Sequence, residues 1–258
     1  MRKYLITTTA VGLLLALVAT SIAVAEKPVK TRVGNLELTF NGGFFPKKLP
    51  KKKMAPIGLS LSGKIRNVDG THPPAMRKFV VETDKNGSVF TKGYPKCRSG
   101  QLQARNSSEA MRVCKKALIG KGKTAVDVAF PEQPSIRATS ELLAFNGGTR
   151  GGTTTFYIHA YLRQPVVAAI VTTVKIKKIK KGRYGLKSTA SIPQIAGGSG
   201  SVRSFNLTIN KKYKWKGKRR SILNLRCRDG KVLARGEAVF DDGTKAKAGV
   251  VRTCRPKG

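Results

Sequence analysis

His72 and His159 are the only imidazoles in a chain of 258 residues with 13 carboxylates and 51 lysines and arginines. Neither lies in a His-Glu-x-x-His pattern, and neither a Gly-x-Ser-x-Gly elbow nor an EF-hand spacing occurs. Gly197-Gly198-Ser199-Gly200-Ser201 lacks the elbow spacing and reads as a flexible turn. Gly122-Lys123-Thr124 resembles the end of a phosphate loop, but Ala117 stands where the first glycine belongs. Asp84-Lys85-Asn86-Gly87-Ser88 alternates oxygen ligands without the closing glutamate of a calcium loop, so it reads as a hairpin turn, with at most a weak cation on Glu82 and Asp84. No catalytic residue, metal site or cofactor is assigned. The competing expectation is a secreted hydrolase that pairs His72 or His159 with a carboxylate brought near by folding.

Binding chemistry is better represented. Alternation over Thr155 to Arg163 sends Phe156, Ile158, Ala160 and Leu162 to one face and Tyr157, His159, Tyr161 and Arg163 to the other. The second face is a row of flat, hydrogen-bonding side chains that suits sugars or bases, unless a loop or second sheet covers it. In Lys212-Tyr213-Lys214-Trp215-Lys216 the lysines face away from the aromatics, and Lys218, Arg219 and Arg220 follow. Trp215, the single tryptophan, is expected to anchor in the core while the lysines stay in solvent. Lys47, Lys48, Lys51, Lys52 and Lys53 lie between two prolines that keep their segment extended, and Lys175, Lys177, Lys178, Lys180 and Lys181 form a third cluster. Together with a formal charge of +38, these clusters point to polyanions: an anionic cell-wall polymer, an acidic glycan, or nucleic acid bound without sequence preference. Evenly scattered lysines would instead mark a purely structural envelope protein.

The elements that must position these groups read as strands. Leu36-Leu38-Phe40, Ile57-Leu59-Leu61, Phe205-Leu207-Ile209 and Leu223-Leu225-Cys227 alternate with polar neighbours, and Asn-Gly or Asp-Gly pairs punctuate them. The continuous apolar run from Val166 to Val171 predicts a central strand covered on both faces, with a bulge or end at Lys177-Lys178. A single helix is expected, capped by Asn106 with Glu109 in the capping-box position and ended by Gly120. The fold class expected is an all-β antiparallel sandwich, jelly-roll-like, with that one short helix. One domain over 26–258 is favoured over two subdomains split near 131–134.

The first residues read as an export signal: Arg2 and Lys3, an apolar stretch around Val11 to Val18, then Ala23-Val24-Ala25, which places the mature start near Glu26. The first cysteine is Cys97, so no lipidation cysteine adjoins that site, and no later apolar run approaches the ~20 residues of a membrane span. The expected compartment is extracellular or envelope-associated. In that setting Cys97, Cys114, Cys227 and Cys254 favour disulfides, and proximity in sequence favours Cys97 with Cys114 and Cys227 with Cys254 among three possible connectivities.

Four stretches, Gly70-Thr71-His72-Pro73-Pro74-Ala75, Phe130-Pro131-Glu132-Gln133, Val174 to Gly185, and Ile192 to Val202, together resemble an uncharacterised family of exported actinobacterial proteins. The resemblance implies an exported bacterial protein and carries no activity or site.

Overall fold

A computed structural model describes residues 26–257. The expected signal segment, 1–25, lies outside the described residues. Alternating side chains build β1 (Val29–Val33) and β2 (Leu36–Phe45), followed by the short β3 (Lys48–Pro50) and β4 (Ala55–Pro56). Next come β5 (Gly58–Asn67), β6 (Met76–Asp84), the short β7 (Gly87–Val89) and helix α1 (Ser107–Cys114). A meander follows: β8 (Leu118–Phe130), β9 (Gln133–Arg150), β10 (Thr153–Leu162), β11 (Ala168–Lys181) and β12 (Tyr184–Ser191). The chain finishes with β13 (Gly200–Ile209), β14 (Lys212–Trp215), β15 (Lys218–Ser221), β16 (Leu223–Leu225), β17 (Lys231–Phe240), β18 (Lys245–Thr253) and β19 (Arg255–Lys257).

Twelve strands form one antiparallel sheet in the order β1-β2-β5-β13-β8-β9-β10-β11-β12-β6-β17-β18. The sheet curls until its two edges, β1 and β18, lie side by side. The resulting barrel is flattened into two walls. Phe40 of β2 stacks on Phe79 of β6 at 4.8 Å although the two strands are far apart in the sheet. Leu36, Leu38 and Ile65 of one wall share a core with Met76, Ala238, Phe240 and Ala246 of the other. A second core fills the meander side with Val126, Val128, Leu142, Ala160, Leu162 and Ile170, and Ile192 and Val202 touch both. The expected all-β sandwich therefore takes the form of one sheet folded onto itself, with one short helix and the two expected disulfides, Cys97–Cys114 and Cys227–Cys254. Residues 131–134, where two subdomains would part, are the two-residue β8–β9 turn and the first residues of β9, with Phe130 opposite Gln133.

Three local expectations need correction. The strand covered on both faces is β9, whose Leu142 to Asn146 are all buried, whereas Val167 is 69% exposed and β11 begins only at Ala168. The reason is α1: it lies over the outer face of β9 and β10, where Leu143 and Phe145 pack with Cys97, Leu102, Ala110 and Cys114. The helix itself starts as read, with Asn106 Oδ1 accepting from the Glu109 N–H and the Glu109 carboxylate accepting from the Asn106 N–H. It ends at Cys114, four positions before Leu118 opens β8. Gly120 is a strand residue rather than a helix terminator, because β13 passes so closely that a Cβ on it would stand 2.3 Å from the Thr208 carbonyl oxygen. Finally, β7 does not fold back on β6 as a hairpin; it pairs with β16. The bulge read at Lys177-Lys178 appears as a register shift between Lys178 and Lys181.

Candidate polyanion interface

Strand register brings one set of strand termini to the same end of the barrel. Phe45 is opposite Gly58, Leu59 opposite Ile209, Leu118 opposite Phe145, Lys181 opposite Tyr184, Tyr184 opposite Asp84, and Lys231 opposite Thr253. Three small sheets close this end: β14–β15, β4–β16–β7, and a parallel pair of β3 with β19. Beneath them Tyr94 and Ile222 plug the interior against Ile119, Phe156, Ile176 and Ile209.

All three lysine clusters have members at this capped end. Lys48 lies in β3 opposite Arg255, the Lys51 N–H donates to the Lys257 carbonyl, and the Lys52 carbonyl accepts from Arg226. Lys51, Lys52 and Lys53 are exposed, while Lys47 is half-buried over the Phe44 ring. Lys177, Lys178, Lys180 and Lys181 project from the last turns of β11, and Lys175 stands further up the wall opposite Thr155 and Thr189. Lys212, Lys214 and Lys216 project from the β14–β15 hairpin, with Lys218 and Arg219 exposed on its second strand.

The carboxylates at this end are already occupied. Glu26 holds Lys47 at 2.8 Å and Arg252 at 3.3 Å; Asp84 and Asp229 share Arg183 at 3.1 and 2.6 Å; Glu82 holds Arg235 and lies 4.0 Å from Lys181. Glu82 and Asp84 are thus not free to hold a cation. The Arg235 hydrogen bond holds the Glu82 carboxyl below the ordinary range, and the Arg183 bond does the same for Asp229. Among the described residues, no carboxylate lies within ion-pair distance of Lys48, Lys51, Lys52, Lys53, Lys212, Lys214 or Lys216. Uncompensated positive charge of this density attracts polyanions and is screened by salt.

The aromatic row is corrected by its cover. Tyr157 packs in the cluster beneath α1, and His159 is fully buried, with Nε2 2.9 Å from the Arg105 carbonyl oxygen. His159 therefore presents no face to a polymer, and Tyr157 is half-buried. Tyr161 and Arg163 line a shallow depression of about 390 Å³ with Asn106, Ser108 and Val167. Trp215 also departs from expectation. It is half-buried on the hairpin, with Phe90 edge-on at 5.8 Å, outside the sheet's core clusters.

No family model, curated protein or solved structure matches the chain.

Its chemistry must therefore be read from its own groups. His72 lies at the opposite end of the barrel, where its Nδ1 is 3.1 Å from Ser135 Oγ. Burial lowers its pKa; Asp127 and Asp241 pull it back up, and Arg203 opposes them. Asp127 is bound by Arg137 and Arg203, and Asp241 by Arg77 and the Ala75 N–H, so neither orients the imidazole as a triad acid would. No group of three or more His, Cys, Asp or Glu with metal-binding geometry occurs among the described residues. Sequence reading passed over Phe90, Gly93 and Lys92, which join Trp215 and Arg220. They are remote from the hairpin in the chain, and the pairing of β7 with β16, together with the Tyr213 hydroxyl on the Lys92 carbonyl, brings their segment alongside.

Proposed function

We propose that this chain is an exported, non-enzymatic binding protein whose capped end associates electrostatically with an anionic envelope polymer or acidic glycan. The observation that carries this reading is the convergence of three separate lysine clusters on the end where every carboxylate is already bound to a cation. Two disulfides fit an oxidising location, and no helix among the described residues is long and apolar enough to cross a membrane. Adsorption to a charged polymer would then hold the protein at the envelope.

The test is retention on heparin and wall-polymer resins over a series of salt concentrations. Retention should fall steeply with salt, and glutamine at Lys51, Lys52, Lys53, Lys212, Lys214 and Lys216 should reduce the log–log slope by about 1 per contacting lysine removed. Glutamine at Lys245 and Lys247, on the far part of β18, should leave it nearly unchanged. Equal losses from both sets would refute a localised interface.

A further inference from the structure

The single tryptophan sits in a setting that general electrostatic adsorption does not require. Its indole rests on Gly93, where φ is +75° and a Cβ would stand 1.8 Å from Trp215 Cδ1, so that position accepts glycine for two separate reasons. Around the same ring stand Lys92 Nζ at 5.6 Å, Lys216 Nζ at 5.4 Å and Arg220 Cζ at 5.9 Å. Arg220 also lies 5.4 Å from the Phe90 ring, and its Nε is enclosed without a hydrogen-bond acceptor. Among the described residues no carboxylate pairs with any of these three cations. The hairpin is held in place from below: the Tyr213 hydroxyl donates to the Lys92 carbonyl at 2.8 Å, and the Tyr213 ring packs on Tyr94 at 4.8 Å.

Three like charges gathered round one indole repel each other, and the ring quadrupole offsets only part of that. An oxyanion placed among them would relieve the repulsion. We infer that Lys92, Lys216 and Arg220 form a subsite for one sulfate, phosphate or carboxylate group of an anionic saccharide, whose ring lies against Trp215. This rests on the polyanion reading above and specifies its ligand. The indole offers one apolar platform, sized for one ring, whereas a nucleic-acid strand calls for successive platforms for successive bases. A lipid surface would call for apolar side chains to insert, and the large exposed ones, such as Phe45 and Met54, are not on this hairpin.

Because Trp215 is the only tryptophan, its fluorescence reports this subsite alone. A size-defined heparin oligosaccharide titrated into the full chain should give a saturable change in emission. Arg220→Gln should weaken it by about tenfold or more. The double variant Lys92→Gln/Lys216→Gln alters two exposed side chains and so keeps the test decisive if Arg220→Gln fails to fold. If emission does not respond while the resin retention stays salt-dependent, the subsite is wrong and the broader reading stands; if retention is also absent, both fall. Tighter binding of a charge-matched oligothymidylate, or an equal response to inorganic sulfate at the same concentration, would overturn the saccharide assignment.

Discussion

Burial of His159 beneath α1 leaves its Nε2–H on the Arg105 carbonyl and its Nδ1 with no partner. An imidazolium there would have to shed its water and present a second N–H to nothing, so burial holds the pKa below the ordinary value, opposed in part by the Arg105 hydrogen bond. The unfolded chain recovers a value near 6.5 and so binds more protons than the native state as pH falls through that region. Stability must then decline with falling pH in this window. His159→Gln keeps an N–H donor for the Arg105 carbonyl and removes the titration. It should unfold in denaturant much like the parent at pH 8 and show a flatter profile from about pH 6.5 to 5. Identical slopes for the two proteins would assign the pH dependence elsewhere. The same residue shows why periodicity alone misleads about function: it located the face His159 occupies and said nothing of what lies on it.

The elements carry a different vulnerability, the seam. β1 and β18 are neighbours without a backbone ladder joining them, and side chains bridge the gap at the capped end. Glu26 Oε1 accepts from the Thr253 N–H and hydroxyl, its Oε2 binds Lys47, and Arg252 reaches across to Asn41 and the Gly42 carbonyl. Burial raises the Glu26 pKa, but the bonds from Lys47 and Thr253 outweigh it and lower the carboxyl overall. The stabilisation is accordingly complete above the ordinary carboxylate range and is lost as pH falls through the lowered value. Glu26→Ala is expected to cost about 0.5–1.5 kcal/mol, because the Thr253 N–H exchanges its carboxylate acceptor for water. Amide exchange should accelerate in β1 and β18 and stay slow in β9 and β10, whose ladders are intact on both sides. Uniform acceleration would show that Glu26 contributes globally and does not act as a clasp.

For the whole molecule, the two disulfides divide the labour by location. Cys97–Cys114 closes a separation of 17 residues and holds α1 over β9 and β10; Cys227–Cys254 closes 27 and lies among Phe44, Leu49, Ile57 and Leu225 under the small sheets. Replacing either pair with alanine should cost about 3 kcal/mol through the unfolded state. The functional consequences should differ. Loss of Cys227–Cys254 frees the segments carrying Lys48, Lys51 and Arg255 and should weaken salt-dependent retention, whereas loss of Cys97–Cys114 should lower Tm and leave retention near the parent value. A matching retention loss in both would argue against the capped end as the interface.

Local signals in the chain were enough for whatever depends on neighbours in sequence. Alternation marked the strands, Asn106 and Glu109 marked the start of α1, and short spacing favoured the disulfide pairs that form. Composition likewise announced the charge. It could not say where that charge would gather, because Lys47 to Lys53, Lys175 to Lys181 and Lys212 to Arg220 meet only through register across β3, β11 and the β14–β15 hairpin. The same limit explains the misread residues. Gly120 looked like a helix end because the closeness of β13 is invisible in its own segment, and Trp215 looked like a core anchor because hydrophobicity does not reveal which strand a residue will pair with. Side-chain type and short spacing set the elements, while long-range pairing, which obeys geometry across the whole sheet, decided which of them share a surface.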